Sequence, residues 1–308
     1  MAKKLGNRAI LAKIETTYGT DAVPTGAANA MMMINVTYEP LLGQDVSRDL
    51  ILPYMGHQGV LLVGNYARLT GEIELAGSGT PGTPPAYGPL LRACAMAEVI
   101  TASTSAAYNP ISAGQEAVSI YYNMDGVNHV LLGARGTFTL DMKPAAVPRL
   151  KFVFTGLLGT IADVALPTVT LTAFKTPLPV SKANTTFSLH GLASACEGVS
   201  FDLANQIEPR LLIGYEGIEH VDRDMTGSAV LEAVAIATKD WLSIARAHTK
   251  GVLALVHGTV AGNIVQLDAP AVQIGRPNYG DTQKIINNTL PLMFMPSTGN
   301  DEFKITVK

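Results

Sequence analysis

Along most of the chain, apolar residues either alternate with polar ones or run for five to nine positions between Gly, Pro, Asn or Asp. That spacing is the period of strands rather than of helices. The clearest predicted strands cover residues 31–38, 68–75, 118–124, 130–141, 150–155, 168–174, 199–203, 252–256, 264–267 and 271–274. Two stretches have helical spacing instead. Residues 89–98 place Leu90, Leu91, Cys94 and Ala95 on one side behind Pro89, a residue suited to a first turn. Residues 239–250 align Trp241, Leu242, Ile244 and Ala245, with Thr238 as the expected N-cap and Gly251 past the end. The predicted fold class is therefore mainly β, with two short helices.

The elements recur in order. Val36-Thr37-Tyr38-Glu39 matches Val199-Ser200-Phe201-Asp202, and Arg48 with Leu50 matches Arg210 with Leu212. Leu69-Thr70-Gly71 then matches Met225-Thr226-Gly227, with Leu75 opposite Leu231. After each comes a helix and then a hairpin, at Met124-Asp125-Gly126-Val127 and at Val260-Ala261-Gly262-Asn263. Each series closes in a strand carrying Phe, at Phe152 and Phe154 and at Phe294. We read a tandem duplication of a β-rich unit, with residues 1–178 as the first copy and 179–308 as the second. Thr176-Pro177-Leu178-Pro179 marks the boundary. Between its first and second matched strands each copy carries a long segment, 41–63 and 205–221, with Tyr54 and His57 in one and Tyr215 and His220 in the other. The apolar content of both segments predicts arms that contact neighbouring subunits rather than loose loops.

Composition supports burial against partners. Of 308 residues only 15% are charged, against about 25% in ordinary soluble proteins, so a free monomer would have an unusually uncharged surface. The net charge of −3, with no basic run longer than Lys3-Lys4, argues against tight nucleic-acid binding, which needs concentrated positive charge. No stretch has the roughly 18 consecutive apolar residues of a membrane helix. No secretory leader is readable behind Lys3 and Lys4, so Cys94 and Cys196 are expected to be free thiols in a reducing compartment.

The search for chemistry returns little. Gly77, Gly79 and Gly82 form a GxGxxG string, but Thr83-Pro84-Pro85 follows where a phosphate-binding helix would have to open. Glu216, Glu219, His220, Asp222, Arg223 and Asp224 form the densest titratable cluster, yet it holds a single His and reads as a structural charge cluster. No P-loop, nucleophile elbow or CxxC is present, so neither an enzyme nor a cofactor is expected. The strand faces are more informative. Glu72 and Glu74 share a polar face opposite Ile73 and Leu75, and Thr137, Thr139 and Asp141 share one opposite Phe138 and Leu140. Such a face fits either the outside of a sandwich or the wall of a water-filled tube.

The opening KIETTYGTDAVPTGA at Lys13 to Ala27 precedes a strand and a long arm. GNYARLTGEIEL at Gly64 to Leu75, the helix after Tyr87, the hairpin at Asp125-Gly126 and the closing GNDEFKITVK follow. In this series the chain resembles the major tail tube proteins of long-tailed, siphovirus-like bacteriophages. The resemblance implies β-sandwich units, each with a flanking helix, in stacked rings, where six units lend four strands each to a closed inner barrel and arms join neighbouring rings. A chain with two units would form a trimeric ring of pseudo-sixfold symmetry. Twenty-four strands about 4.8 Å apart and tilted near 45° close a barrel about 52 Å across, leaving a lumen of about 40 Å for a DNA duplex about 20 Å wide.

On that basis Glu72, Glu74, Thr137, Thr139 and Asp141 are the expected lumen residues, and Tyr54, His57, Tyr215 and His220 the expected inter-subunit arm contacts. The implied partners are other copies of the chain, the tape measure protein, the tail terminator and tail tip proteins, and DNA passing without specific binding. The implied location is the virion tail, assembled in the host cytoplasm, with no membrane partner. A hexameric ring with a C-terminal decoration domain, a carbohydrate-binding β-sandwich using Tyr54, Tyr215 and Trp241, and a hydrolase at the 216–224 cluster are the competing readings.

Overall fold

The computed structural model describes residues 2–308. The chain opens with β1 (Arg8–Ile14), β2 (Ile34–Ser47), β3 (Val60–Glu74), α1 (Gly88–Ala93), β4 (Met96–Thr101), β5 (Ser105–Pro110), β6 (Val118–Met124), β7 (Val127–Met142) and β8 (Arg149–Asp163). It continues with β9 (Thr185–Leu189), β10 (Cys196–Asp202), β11 (Asn205–Leu212), β12 (Tyr215–Arg223), β13 (Thr226–Glu232) and α2 (Trp241–Arg246). The last strands are β14 (Lys250–His257), β15 (Val265–Ile274), β16 (Asn278–Thr282), β17 (Ile285–Phe294) and β18 (Lys304–Val307). The mainly β expectation holds.

Nearly all strands join one antiparallel network. Its main path runs β2-β3-β8-β7-β10-β13-β17-β15-β18-β5-β4, while β11 and β12 form a separate two-stranded sheet. β7 occupies a central place because it changes partner along its length. Residues up to Ala134 pair with β6, and Thr139–Met142 pair with β10. Near the end of the β6 pairing the ladder with β8 shifts register between Leu132 and Arg135, where Gly133 takes φ +56, a bulge that bends the strand as it passes from one pairing towards the next. The buried carboxylate of Glu15 accepts from Gly133 N at 2.7 Å and from Ser119 Oγ at 2.8 Å, so the backbone freed there is not left unpaired.

Alternation decides which face each strand buries. Leu69 and Ile73 of β3, Leu150, Phe152 and Phe154 of β8, and Phe138 and Leu140 of β7 all lie on one side and are almost wholly inaccessible. Phe152 stacks on Phe154 at 5.6 Å and lies 5.8 Å from Phe138. A second aromatic group, Phe201, Phe294 and Phe303, has ring separations of 5.5 to 6.1 Å. Burying such side chains is worth about 1.5 to 3 kcal/mol each, so this face carries much of the stability.

Several local expectations are corrected. Residues 168–174 alternate like a strand but form none: Thr170 N bonds to Gly26 O at 3.0 Å, Phe174 N closes a turn on Leu171, and Pro167 and Pro177 flank the stretch. The helices are shorter than predicted. α1 stops at Ala93, Ala95 takes φ +58, and the chain enters β4 where the helical spacing continued. α2 is capped by Asp240, whose side chain accepts from Ser243 N at 2.9 Å, and not by Thr238. The segments 264–267 and 271–274 are one strand, β15, through Pro270. The hairpin at Asp125-Gly126 is as expected, with φ of +48 and +90, the two left-handed residues a tight I′ turn requires. Cys94 and Cys196 are free thiols.

Candidate functional site

The polar side of the main sheet gathers every predicted tube-wall residue. Glu72 lies opposite Lys151, Glu74 opposite Arg149, Thr137 opposite Val153, Thr139 opposite Lys151 and Asp141 opposite Arg149. The face continues past β7, since Asp141 also lies opposite Ser200, and Thr139 opposite Asp202, which in turn faces Thr226. Arg149 and Lys151 escaped the sequence reading, although Arg149-Leu150-Lys151-Phe152 alternates in the same way as the strand that carries Glu72. Arg149 lies 3.7 Å from Glu72, which also accepts from Asn35 Nδ2 at 3.1 Å. This polar face is thus of mixed sign, with acids and bases alternating across strands. Ion pairs this exposed add little to stability, but together they leave no concentrated positive field that would hold a polyanion.

The segment 41–63 is an extension of the β2–β3 hairpin. Leu41, Val46, Leu61, Leu62 and Val63 are exposed along it, and Ile51, Tyr54 and Met55 are exposed at its tip. His57 belongs to the same exposed tip, accepting at Nδ1 from Gly59 N at 2.9 Å.

The segment 205–221 forms most of the β11–β12 hairpin, turning at Ile213-Gly214 with Gly214 at φ +84. Leu212, Ile213 and Tyr215 are exposed at its end. Its base is fastened to the body. Ile218 is fully buried, its N–H donates to Tyr18 Oη at 2.5 Å, and its carbonyl accepts from Arg135 at 2.7 Å. Arg135 also pairs with Glu219 at 2.7 Å and lies over the Tyr18 ring at 4.7 Å. Asn205 donates to Cys94 O and Gly136 O at 2.8 and 3.0 Å.

His220 is therefore not at the arm's end with Tyr215. It lies near the base, bonded to Ala93 O at 3.3 Å, and burial with the nearby Arg135 charge lowers its pKa to about 4. The rest of the 216–224 cluster holds structure too: Glu219 pairs with Arg135, and Arg223 pairs with Glu302 and reaches Ile111 O at 3.1 Å. A cleft of ≈640 Å³ beside these residues is lined by Ile111, His220, Arg223, Met225 and Glu302. Among the described residues no group of three or more His, Cys, Asp or Glu is placed to hold a metal.

The remaining motifs resolve in the same way. Gly77 and Gly79 of the GxGxxG string bond to Asn263 Oδ1 at 2.7 Å and Gly262 O at 2.8 Å, so the loop docks on another loop of the same chain. Trp241 is buried against His190 and offers no open stacking platform. Among the described residues no helix is long and apolar enough to cross a membrane.

Compared with known families, residues 6–292 match the family model described as phage tail tube protein. No curated protein matches the chain.

Proposed function

The chain belongs to the phage tail tube protein family and has a structural role in the virion tail, and from that membership we propose that it polymerises as stacked trimeric rings whose joined sheets enclose the DNA path. The observation that carries this reading is the repeated strand order. Six strands up to residue 163 pair in the order β1-β6-β7-β8-β3-β2, and six from residue 185 onward pair in the order β9-β14-β15-β17-β13-β10, with β4, β5, β11, β12, β16 and β18 outside the two series. The two series follow the sequence matches. Val36–Glu39 lies on β2 where Val199–Asp202 lies on β10; Leu69–Gly71 lies on β3, and Thr226-Gly227 opens β13; α1 and α2 follow, and then the hairpins β6–β7 and β14–β15. This supports reading 1–178 and 179–308 as two tail-tube units in one chain.

Each unit then supplies four strands to one continuous run, β2-β3-β8-β7 joined to β10-β13-β17-β15, so three chains bring the twenty-four strands of six single units. The mixed-charge face bearing Glu72, Glu74, Thr137, Thr139 and Asp141 lines the channel in this arrangement and slides past DNA without gripping phosphate. Closure of the sheet also removes the open edges of the monomer. The exposed ends of the two arms, with Tyr54, His57 and Tyr215, contact neighbouring subunits, and the tape measure, terminator and tip proteins meet the channel and its ends. Assembly takes place in the host cytoplasm.

Negative-stain electron microscopy of the purified chain tests the proposal. Hollow tubes with a channel about 40 Å wide and threefold modulation of a six-lobed ring are expected. Sixfold modulation with outward knobs would favour the hexameric reading instead. Compact monodisperse particles at every salt and protein concentration would remove the tube.

A further inference from the structure

Within one chain, the two halves of the main sheet meet at two antiparallel seams, β18 beside β5 and β7 beside β10, and the second of these joins the two four-strand series. Val199, Ser200, Phe201 and Asp202 of β10 lie opposite Met142, Asp141, Leu140 and Thr139 of β7. The seam keeps its faces separate, since Val199, Phe201, Leu140 and Met142 are buried while Ser200, Asp141, Asp202 and Thr139 lie on the polar side.

The opposite ends of the same run are open. Among the described residues, β2 pairs only with β3, and β16 pairs only with β17. β15 keeps β14 beside it as far as Gln273, beyond which that edge has no strand neighbour. All of β16 is exposed. We infer that these two open edges are the two sides of the seam between subunits: Ile34–Glu39 of one copy pairs antiparallel with Gly275–Thr282 of a second copy. The inference rests on the ring proposed above and specifies how its subunits join.

The internal seam supplies the register. Counting along β8 from the Phe138–Phe152 pair, three rungs lead to Asp141 opposite Arg149. Counting the same three rungs along β17 from the Ile274–Leu292 pair leads to Asn278 opposite Thr289, with one extra residue before Asn278. Asn278 thus takes the place of Asp141, and Tyr279 that of Met142. On the other side, Val36 and Thr37 match Val199 and Ser200. The predicted rungs are Val36 opposite Tyr279 and Thr37 opposite Asn278.

The chemistry of the faces agrees. Ile34, Val36 and Tyr38 are half-buried on the core side of β2, whereas Asn35, Thr37 and Glu39 are exposed on the polar side. Tyr279, opposite Asn288 on the core side of β17, is one of the most exposed rings and would be covered by the apolar side of β2. Pro277 has no N–H, so N–H donation across the seam would resume at Asn278. The β3 ladder leaves one alternative register. Phe201 faces Gly227, whereas Tyr38 faces Leu69 and not Gly71, so β2 can be displaced by two residues without exchanging its faces.

Cysteine cross-linking in assembled tubes decides the matter, because directly opposed residues of an antiparallel pair lie about 4.5 to 5.5 Å apart at Cα, within disulfide reach. A chain carrying both Thr37→Cys and Asn278→Cys is expected to oxidise to closed covalent trimers, with loss of the monomer band that neither single variant shows. Asn35→Cys with Asn278→Cys reads the displaced register. Tubes in which neither pair cross-links would overturn the seam while leaving the tube intact, whereas absence of rings from the unmodified chain would overturn the tube and the seam together. Hydrogen exchange on the unmodified chain needs no variant: amides of 34–39 and 278–282 should become protected between monomer and tube, and unchanged exchange there overturns the pairing.

Discussion

The two hairpin arms share a pattern of apolar residues and aromatics around a turn, yet the protein treats them differently. The β11–β12 arm is held by its own chain. Ile218 is buried, Arg135 pins both a carbonyl and Glu219, Tyr18 receives the Ile218 N–H, and Arg223 pairs with Glu302. The β2–β3 extension has little of this: beyond Gly64, where Leu211 of the other arm touches it, its apolar residues are open to solvent. A two-stranded ribbon with exposed Leu and Val is marginal in water. The base of one arm is anchored within the monomer, whereas the exposed apolar residues of the other have no such anchor. Similar hydrophobicity in sequence therefore serves two ends, and the difference lies in whether the body supplies partners for the backbone and charges at the arm's base.

The strongest test of this contrast is to excise the free arm's tip. Replacing residues 48–59 by Asn-Gly should abolish tubes by electron microscopy while leaving monomer unfolding within about 0.5 kcal/mol of the original, because nothing buried in the monomer is lost. Loss of monomer stability would mean that the tip folds back on its own chain. Next in size is Arg135→Ala, which strands Glu219 and the Ile218 carbonyl and should cost the monomer on the order of 3 kcal/mol by denaturant unfolding. A change near zero would show that the anchored arm stands without its clamp.

The smallest effect concerns His220. Its pKa is depressed from 6.5 to about 4 in the folded chain, so below pH 6.5 the unfolded chain takes up a proton that the folded one refuses. Stability should therefore fall with pH across the window from about 6.5 to 4, by roughly 2 kcal/mol at about pH 4.5 from this residue. His129, His190 and His257, also lowered by burial, add to the same slope. His220→Asn should flatten the slope, and an unchanged slope would place the imidazole in solvent.

What the sequence determined by itself is local and periodic. Alternation in Arg68–Glu74 and Arg135–Asp141 identified the two faces of the sheet, because a pleated strand leaves each side chain only two directions. Asp125-Gly126 marked its turn, because few residue pairs accept two positive φ angles. The tertiary structure decided everything that depended on a partner distant in sequence. Residues 168–174 have the alternation of a strand but meet no strand beside them. The predicted first helix ended early because β4 had β5 to pair with, and the rung register on β5 from Met96 to Thr101 lay outside any local signal. Arg149 and Lys151 were readable as polar-face residues, but their position opposite Glu74 and Glu72 was not. His220 belonged to the arm in sequence and to the body in space, because burial and hydrogen bonding follow the packing of Ile218, Arg135 and the end of α1, which no spacing along the chain encodes.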